Sequence, residues 1–162
     1  MYETRPHARL RELRKADWRP HWALIVPVSM GYLDDDETHM LFYQRSNGFT
    51  QFYFVRRSGK ISKISQSDWR SGWTHIVRDY VPSLNSSQHP ARLFFYNATD
   101  GFAQYYSLDR QGRLRKVRDD NWGTGWTHIL NGWSRNGDIL FFYNKNSHLG
   151  RIYGLYELER GA

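Results

Sequence analysis

The feature that most constrains the fold of this chain is an internal repeat. Residues 69–76 read Trp-Arg-Ser-Gly-Trp-Thr-His-Ile, and residues 122–129 read Trp-Gly-Thr-Gly-Trp-Thr-His-Ile. A shorter element, an apolar residue followed by Phe and Tyr, occurs at 41–43, 94–96 and 141–143. Self-similarity with a period of roughly 20–50 residues indicates copies of one supersecondary unit that stack on one another.

A weaker copy of the longer element begins the chain. Residues 18–25 keep both tryptophans and the final isoleucine, and Leu10 and Leu13 precede them as two isoleucines precede residue 69. The chain is therefore interpreted as one domain, residues 1–162, built from three units whose ends complement one another. The units are approximately 41–91, 93–139, and a split unit of 140–162 plus 8–40.

Each unit has the texture of short strands and tight turns. Its aromatic and β-branched runs are short and are bounded by Gly, Asn, Asp and Ser, which favours strands over helices. In the third run of each unit the apolar residues are three apart, which fits either a β-bulge or a short turn outside the sheet. The runs of the central unit are 93–97, 103–109, 113–117 and 126–130.

The predicted fold class is all-β, as a β-propeller-like array of three four-stranded repeats. A β-trefoil, which also combines three similar units, is the alternative. Three units are fewer than the roughly four to eight blades that close a propeller. Because open sheet edges invite pairing with another chain, we expect a homodimer that completes a six-bladed ring.

Several classes of protein are excluded or disfavoured by composition. The chain has no cysteine, which excludes disulfides and Cys-ligated metals. The most apolar stretch, 22–30, is too short to span a bilayer, and residues 1–20 are polar and arginine-rich, so neither a transmembrane segment nor a signal peptide is expected. The compartment stays open between the cytoplasm and non-classical secretion. No hydrolase, metalloprotease or phosphate-loop motif is present, so we expect no enzyme, cofactor or metal.

Three segments resemble the blades of tachylectin/tectonin-like β-propeller lectins. They are Leu-Phe-Phe-Tyr at 140–143, Gly-Arg-Ile-Tyr-Gly-Leu at 150–155 and Asn-Gly-Trp at 131–133. The resemblance covers residues 8–162 and implies a non-enzymatic carbohydrate-binding protein with one shallow glycan pocket per unit, between adjacent blades. The chain departs from the family in having three units where five or more are usual, and in having Asn-Gly-Trp only once.

The candidate sugar-binding residues are tryptophans in polar surroundings and the acids beside them. An indole can stack on the apolar face of a pyranose, and a neighbouring carboxylate can accept from sugar hydroxyls. Packing between units and Asx-type turns are the alternatives for these residues. The candidates are Trp18, Trp69, Trp122, Trp133, Asp68 and Asp120.

Repeated basic residues support a second function. The net charge is +7, and cations cluster on the second hairpin of each unit. Such a surface could bind nucleic acid or another polyanion, or it could protect exposed strand edges from pairing. The cations of the central unit are Arg110, Arg113, Arg115 and Lys116. His75 and His128 occupy equivalent positions, for which we expect a bond to a backbone carbonyl and not a metal ligand.

Overall fold

The computed structural model describes residues 12–15, 17–28, 37–79, 91–109, 111–134 and 137–154. These residues form eleven β-strands and no helix, which confirms the all-β prediction. The strands are β1 (Leu24–Val28), β2 (Glu37–Tyr43), β3 (Phe49–Arg56), β4 (Ile61–Asp68), β5 (His75–Asp79), β6 (Ala91–Tyr96), β7 (Phe102–Leu108), β8 (Leu114–Asn121), β9 (His128–Ser134), β10 (Gly137–Asn144) and β11 (Leu149–Gly154).

The strands form three antiparallel sheets in which neighbours in sequence are neighbours in space. Sheet 1 contains β1 to β4, sheet 2 contains β5 to β8, and sheet 3 contains β9 to β11. β1 contacts β5 and β5 contacts β9, so the first strands of the three sheets lie side by side. Short turns suffice for each meander because consecutive strands run antiparallel.

The sheets are out of phase with the sequence units. The strand that follows each Trp-Thr-His pairs with the aromatic triplet of the next unit: Ile76 lies opposite Phe95, and Ile129 lies opposite Phe142. The last strand of one sequence unit is therefore the first strand of the next sheet. This overlap joins neighbouring sheets through the Trp-x3-Trp loops.

The apolar residues three apart mark a β-bulge. In sheet 1 the register shifts so that Phe52 opposes Ser65 while Tyr53 opposes Lys63, which leaves Ile64 without a partner. The same shift in sheet 2 leaves Val117 unpaired. The bulge turns both side chains to solvent, and beyond it β8 continues to Asn121, past the predicted end of that run at 117.

Two apolar cores fill the spaces between the sheets. One core packs sheet 1 on sheet 2, and the other packs sheet 2 on sheet 3. Sheet 2 is therefore buried on both faces, with Leu93 and Phe95 turned to one core and Phe94 and Tyr96 to the other. All four of these residues are fully buried.

The tyrosine of the repeated triplet fixes the loop that leads to the next sheet. The Tyr43 hydroxyl donates to the Arg70 carbonyl at 2.8 Å and accepts from the Trp73 amide at 3.2 Å. The Tyr96 hydroxyl likewise donates to the Gly123 carbonyl at 2.8 Å and accepts from the Trp126 amide at 3.3 Å. Each hydroxyl satisfies two backbone groups that the loop cannot pair internally.

A glycine lets the same loop approach the preceding turn closely. Gly101 has φ +76°, a conformation that favours glycine, and its carbonyl accepts from the Trp122 amide at 3.0 Å. A Cβ added to Gly101 would lie 2.7 Å from the Gly123 carbonyl carbon. In sheet 3 the corresponding residue, five after the triplet tyrosine, is His148, with φ +58°.

Candidate functional site

An open cleft of about 390 Å³ lies where the loop after β4 crosses from sheet 1 to sheet 2. The loop places Trp69 and Arg70 at this crossing because the Tyr43 hydroxyl holds the Arg70 carbonyl. We call it the Trp69 cleft. Its lining residues are Ser67, Trp69, Arg70, Trp73, Phe95, Tyr106, Gly112, Arg113 and Leu114.

The floor of the Trp69 cleft is aromatic. Trp73 and Phe95 are buried in the core between sheets 1 and 2. Trp69 is half-buried, and its indole meets the Phe95 ring edge-on with centroids 5.6 Å apart. Tyr106 meets the same ring edge-on at 5.0 Å. The floor is therefore continuous with the core, and part of one indole stays accessible from the cleft.

The rim of the Trp69 cleft is polar. The Arg70 guanidinium lies 5.0 Å from the Trp73 ring and 4.6 Å from the Phe102 ring, and it pairs with Asp100 at 3.4 Å. The Tyr106 hydroxyl donates to the Gln104 amide oxygen at 2.7 Å. Burial raises the pKa of Tyr106 further above neutral pH, where the hydroxyl is protonated and can donate. The rim thus offers hydrogen-bonding groups over an aromatic floor.

The equivalent tryptophans pack on the sheet that follows them. Trp122 stacks on Phe142 with centroids 4.8 Å apart and rings 1° from parallel. Trp18 stacks on Phe42 at the same distance, 12° from parallel, and remains 40% exposed. One indole face in each case is therefore used for packing between elements, the alternative considered from the sequence.

The candidate acids differ in their surroundings. Asp68 ends β4 and is exposed. Asp120 lies within β8, where its carboxylate accepts from the Asn121 amide at 2.9 Å and pairs with Arg118 at 3.4 Å. Asp120 opposes Ala103 as Ser67 opposes Thr50, so it occupies the Ser67 position of the next copy. The Trp133 side chain and all of Arg110 lie outside the described residues.

The basic hairpin of sheet 2 carries its own counter-charges. Arg113 binds Asp109 at 2.6 Å, and Lys116 binds Asp119 at 2.9 Å. Burial raises the pKa of Asp109, but hydrogen bonds from the Arg113 amide and guanidinium outweigh it and hold that pKa below its usual value. Arg115 is exposed. Neighbouring carboxylates therefore neutralise part of the predicted basic surface.

His75 bonds to a backbone carbonyl, as expected. Its Nε2 lies 3.1 Å from the Thr127 carbonyl, which belongs to the loop leading into sheet 3. Burial lowers the pKa of His75, the Thr127 bond opposes this, and the charges of Arg45 and His128 lower it further. Within the described part of the chain, no three His, Asp or Glu side chains are grouped so as to hold a metal.

Sequence reasoning missed Arg70 and Tyr106. A signal for the arginine was present, because Trp18 and Trp69 are both followed by arginine. Arg19 lies 4.7 Å from the Phe49 ring, which repeats the contact of Arg70 with its own phenylalanine. Tyr53 and Tyr106 are also equivalent positions of the repeat, but the approach of Tyr106 to the cleft depends on the register of β7 against β6, which the sequence does not give.

Comparison with known proteins informs the fold alone. No protein-family model matches this chain, and no curated protein matches it at a significant level. The crystal structure of a protein from Lactobacillus plantarum is similar, with a TM-score of 0.50 and 14% identity. The match covers 82% of this chain and 38% of that chain, so this chain corresponds to less than half of that protein. The described residues include no helix of the length and hydropathy needed to cross a membrane.

Proposed function

We propose that this chain is a non-enzymatic carbohydrate-binding protein, with glycans bound in the Trp69 cleft. The observation that carries the proposal is a half-buried indole in an open cleft with polar groups at its rim. The volume of about 390 Å³ falls near the lower end of the roughly 300–1,000 Å³ of small-molecule sites. A pyranose would lay its C–H face on Trp69 while Ser67 and Arg70 bind its hydroxyls.

Repetition of the same parts supports a multivalent protein. Arg19 and Tyr53 accompany Trp18 as Arg70 and Tyr106 accompany Trp69, so the first copy has an indole, a guanidinium and a phenol in the same order. At Trp122 the arginine is replaced by Gly123, and the Ser67 position is taken by Asp120. Individually weak sites on one scaffold gain affinity for multivalent glycans through effective concentration.

The order of the strands supports a propeller-like array over a trefoil. Each sheet is a meander of consecutive strands, and no described strand pairs with a strand of another sheet. A barrel shared by three units would require hydrogen bonds between strands of different units. The face-to-face packing of the sheets and the neighbouring first strands fit blades arranged around a common axis.

The ion pairs on the basic hairpin favour a glycan over a polyanion as the partner. Nucleic-acid binding depends on releasing counterions from the phosphates by means of free cationic side chains. In this protein Arg70, Arg113 and Lys116 each have a carboxylate within 3.4 Å. A polyanion would have to compete with these carboxylates, whereas a neutral sugar would not.

Binding of soluble sugars tests the proposal. We expect neutral monosaccharides or disaccharides to change the tryptophan fluorescence in a saturable way that persists from low to physiological salt. Arg70→Ala should weaken this binding severalfold, whereas Arg115→Ala, an equally conservative removal of an exposed cation, should not. Both arginines are exposed, so neither change should unfold the protein.

Two outcomes would overturn the proposal. One is the absence of binding across a neutral and acidic glycan array that reports a control lectin. The other is binding of RNA or heparin that falls by about 10³-fold or more between roughly 50 and 200 mM salt and is weakened equally by both variants, which is the behaviour of a polyanion-binding surface.

A further inference from the structure

The outer face of sheet 3, which is turned away from sheet 2, is apolar and belongs to neither core of the described residues. We define this face by Leu130, Phe141, Tyr143 and Ile152. Ile152 opposes Phe141 as Tyr105 opposes Phe94 in sheet 2. Ile152 is 67% exposed, whereas Tyr105 is 6% exposed because sheet 3 covers it. In sheet 3 this face is exposed to solvent, whereas the equivalent face of sheet 1 is buried against sheet 2 and that of sheet 2 against sheet 3.

The near face of sheet 1 is the face turned away from sheet 2, and it could pack against a face like the outer face of sheet 3. We define the near face by Ile25, Phe42 and Tyr53 together with Trp18 and Trp22, which pack on it. Ile25 opposes Phe42 as Ile76 opposes the next phenylalanine, Phe95. Ile25 is 51% exposed, whereas Ile76, which sheet 1 covers, is 6% exposed.

One of these two faces carries a triplet tyrosine and the other carries a Trp-x3-Trp loop, the two groups that hydrogen-bond to each other in the other copies. Tyr43 and Tyr96 each bind the Trp-x3-Trp loop of the following sheet, but Tyr143 has no such loop after it in the described chain. Conversely, the loop containing Trp18 and Trp22 has the tryptophan spacing that these hydroxyls bind, but neither Tyr43 nor Tyr96 binds it. Within the described residues, the Tyr143 hydroxyl and the loop of Trp18 and Trp22 therefore lack the contact that their equivalents make with each other.

Residues 12–15 of the N-terminal segment lie against sheet 1 where the fourth strand of a preceding sheet would lie. A Cβ added to Gly59, in the turn between β3 and β4, would meet the Leu13 Cβ at 2.8 Å. The equivalent Gly112, between β7 and β8, faces Phe52 and Ser65 of the preceding sheet. Residues 12–15 therefore occupy, against sheet 1, the place that the outer strands of sheet 1 occupy against sheet 2.

We propose that a second copy of this chain covers the outer face of sheet 3 with the near face of its sheet 1. Tyr143 would then accept a hydrogen bond from Trp22 of the partner subunit, and the partner's Leu13 segment would lie alongside β11. Two copies joined by two such contacts form a closed set of six sheets, within the range of about four to eight that rings contain. The pairing does not depend on what the Trp69 cleft binds.

One departure from the repeat predicts how tight this contact is. Gly48 and Gly101 let the following loop pass close to the turn, but His148 holds that place in sheet 3. The partner's loop must therefore lie further from the turn at His148 than the loops at Trp69 and Trp122 lie from Gly48 and Gly101. We expect a reversible pair, and we expect His148→Gly to tighten it.

Light scattering across a dilution series tests the pairing. The expected mass at high concentration is twice 19.4 kDa, falling towards 19.4 kDa on dilution. Ile152→Arg should leave a folded 19.4 kDa species at every concentration, because it places a charge in the buried contact. Val117→Arg is the matched control: Val117 is also an exposed apolar strand residue, but it lies on the bulge of β8, away from both faces.

Hydroxyl removal separates a specific contact from simple apolar association. Tyr143→Phe should weaken dimerisation by about tenfold or more, since two backbone groups would lose their partner. Tyr153→Phe, on the opposite face of the same strand pair and packed on Trp122, should not change it. A 19.4 kDa mass for the wild-type protein at every concentration, an Ile152→Arg variant that still pairs, or assemblies that keep growing with concentration would each overturn the proposal.

Discussion

The face of sheet 2 that packs on sheet 3 and the outer face of sheet 3 carry almost the same residues in different surroundings. Residues 94–96 and 141–143 both read Phe-Phe-Tyr, and each triplet pairs with the strand before it in the same register. Phe94 and Tyr96 are fully buried, whereas Phe141 and Tyr143 are half-buried. Sheet 3 packs on the first triplet, whereas neither core of the described residues includes Phe141 or Tyr143.

Each copy of the repeat therefore supplies one side of an interface between sheets, and the next copy supplies the other side. Burial of an aromatic side chain here depends on whether the next sheet is present and not on the side chain itself. A tyrosine in a buried triplet also binds the following loop, so its hydroxyl contributes to the joint between sheets. Substitution at equivalent positions therefore measures how much stability each position gains from a neighbouring sheet.

The largest expected effect is that of removing a triplet phenylalanine from the buried face. Phe94→Ala deletes a ring that contacts Tyr105, Trp122 and Phe142, and we expect a loss of about 3–5 kcal/mol in the free energy of unfolding. Phe141→Ala should cost clearly less in dilute solution, because that residue is only partly buried. Urea denaturation at low protein concentration measures both, and equal losses would show that the neighbouring sheet contributes nothing at this position.

The hydroxyl of the triplet tyrosine should have an intermediate effect. Tyr96→Phe leaves the Gly123 carbonyl and the Trp126 amide without their partner, with an expected loss of about 1–3 kcal/mol. Tyr143→Phe should cost less than about 0.5 kcal/mol in the dissociated chain, as is usual for surface changes. Hydrogen exchange of the Trp126 amide provides a local readout, since its protection should fall in Tyr96→Phe. Unchanged protection would mean that the loop is held by other contacts.

Much of this arrangement was accessible from the sequence, because repetition shows which positions share an environment. β6 and β7 follow the predicted runs closely, since glycine and aspartate turns bound them at fixed offsets, whereas β8 extends past its predicted end at 117. The bulge could not be chosen in advance, because apolar residues three apart fit equally a bulge at Ile64 and a turn outside the sheet. Only the register of β4 against β3 separates the two.

The candidate site was less predictable than the fold. Trp69 was found from the sequence because tryptophan in a polar loop is conspicuous, but its cleft partners Phe95 and Tyr106 lie more than twenty residues away and depend on strand register. The stacking of Trp122 on Phe142 has the same origin. Long-range contacts of this kind depend on how the sheets pack on one another, and a local sequence pattern does not predict that packing.

The smallest expected effect is a pH dependence that distinguishes two equivalent histidines. His75 reaches the Thr127 carbonyl of the next sheet, whereas His128 is exposed. Because burial lowers the pKa of His75 in the folded state, the unfolded chain binds its proton more readily. The stabilisation is therefore complete above the unfolded pKa of about 6.5 and is lost as the pH falls from there towards the lower folded pKa, with a slope of at most about 1.4 kcal/mol per pH unit.

Substitution by the residue of the first copy isolates this contribution. His75→Leu introduces the side chain found at the equivalent Leu24, and it should flatten the decline in the free energy of unfolding between about pH 6.5 and 5. His128→Leu removes the exposed histidine at the equivalent position of the next copy and serves as the matched control. If both variants retain the wild-type pH dependence, the contact of His75 with Thr127 does not couple protonation to the joint between sheets 2 and 3.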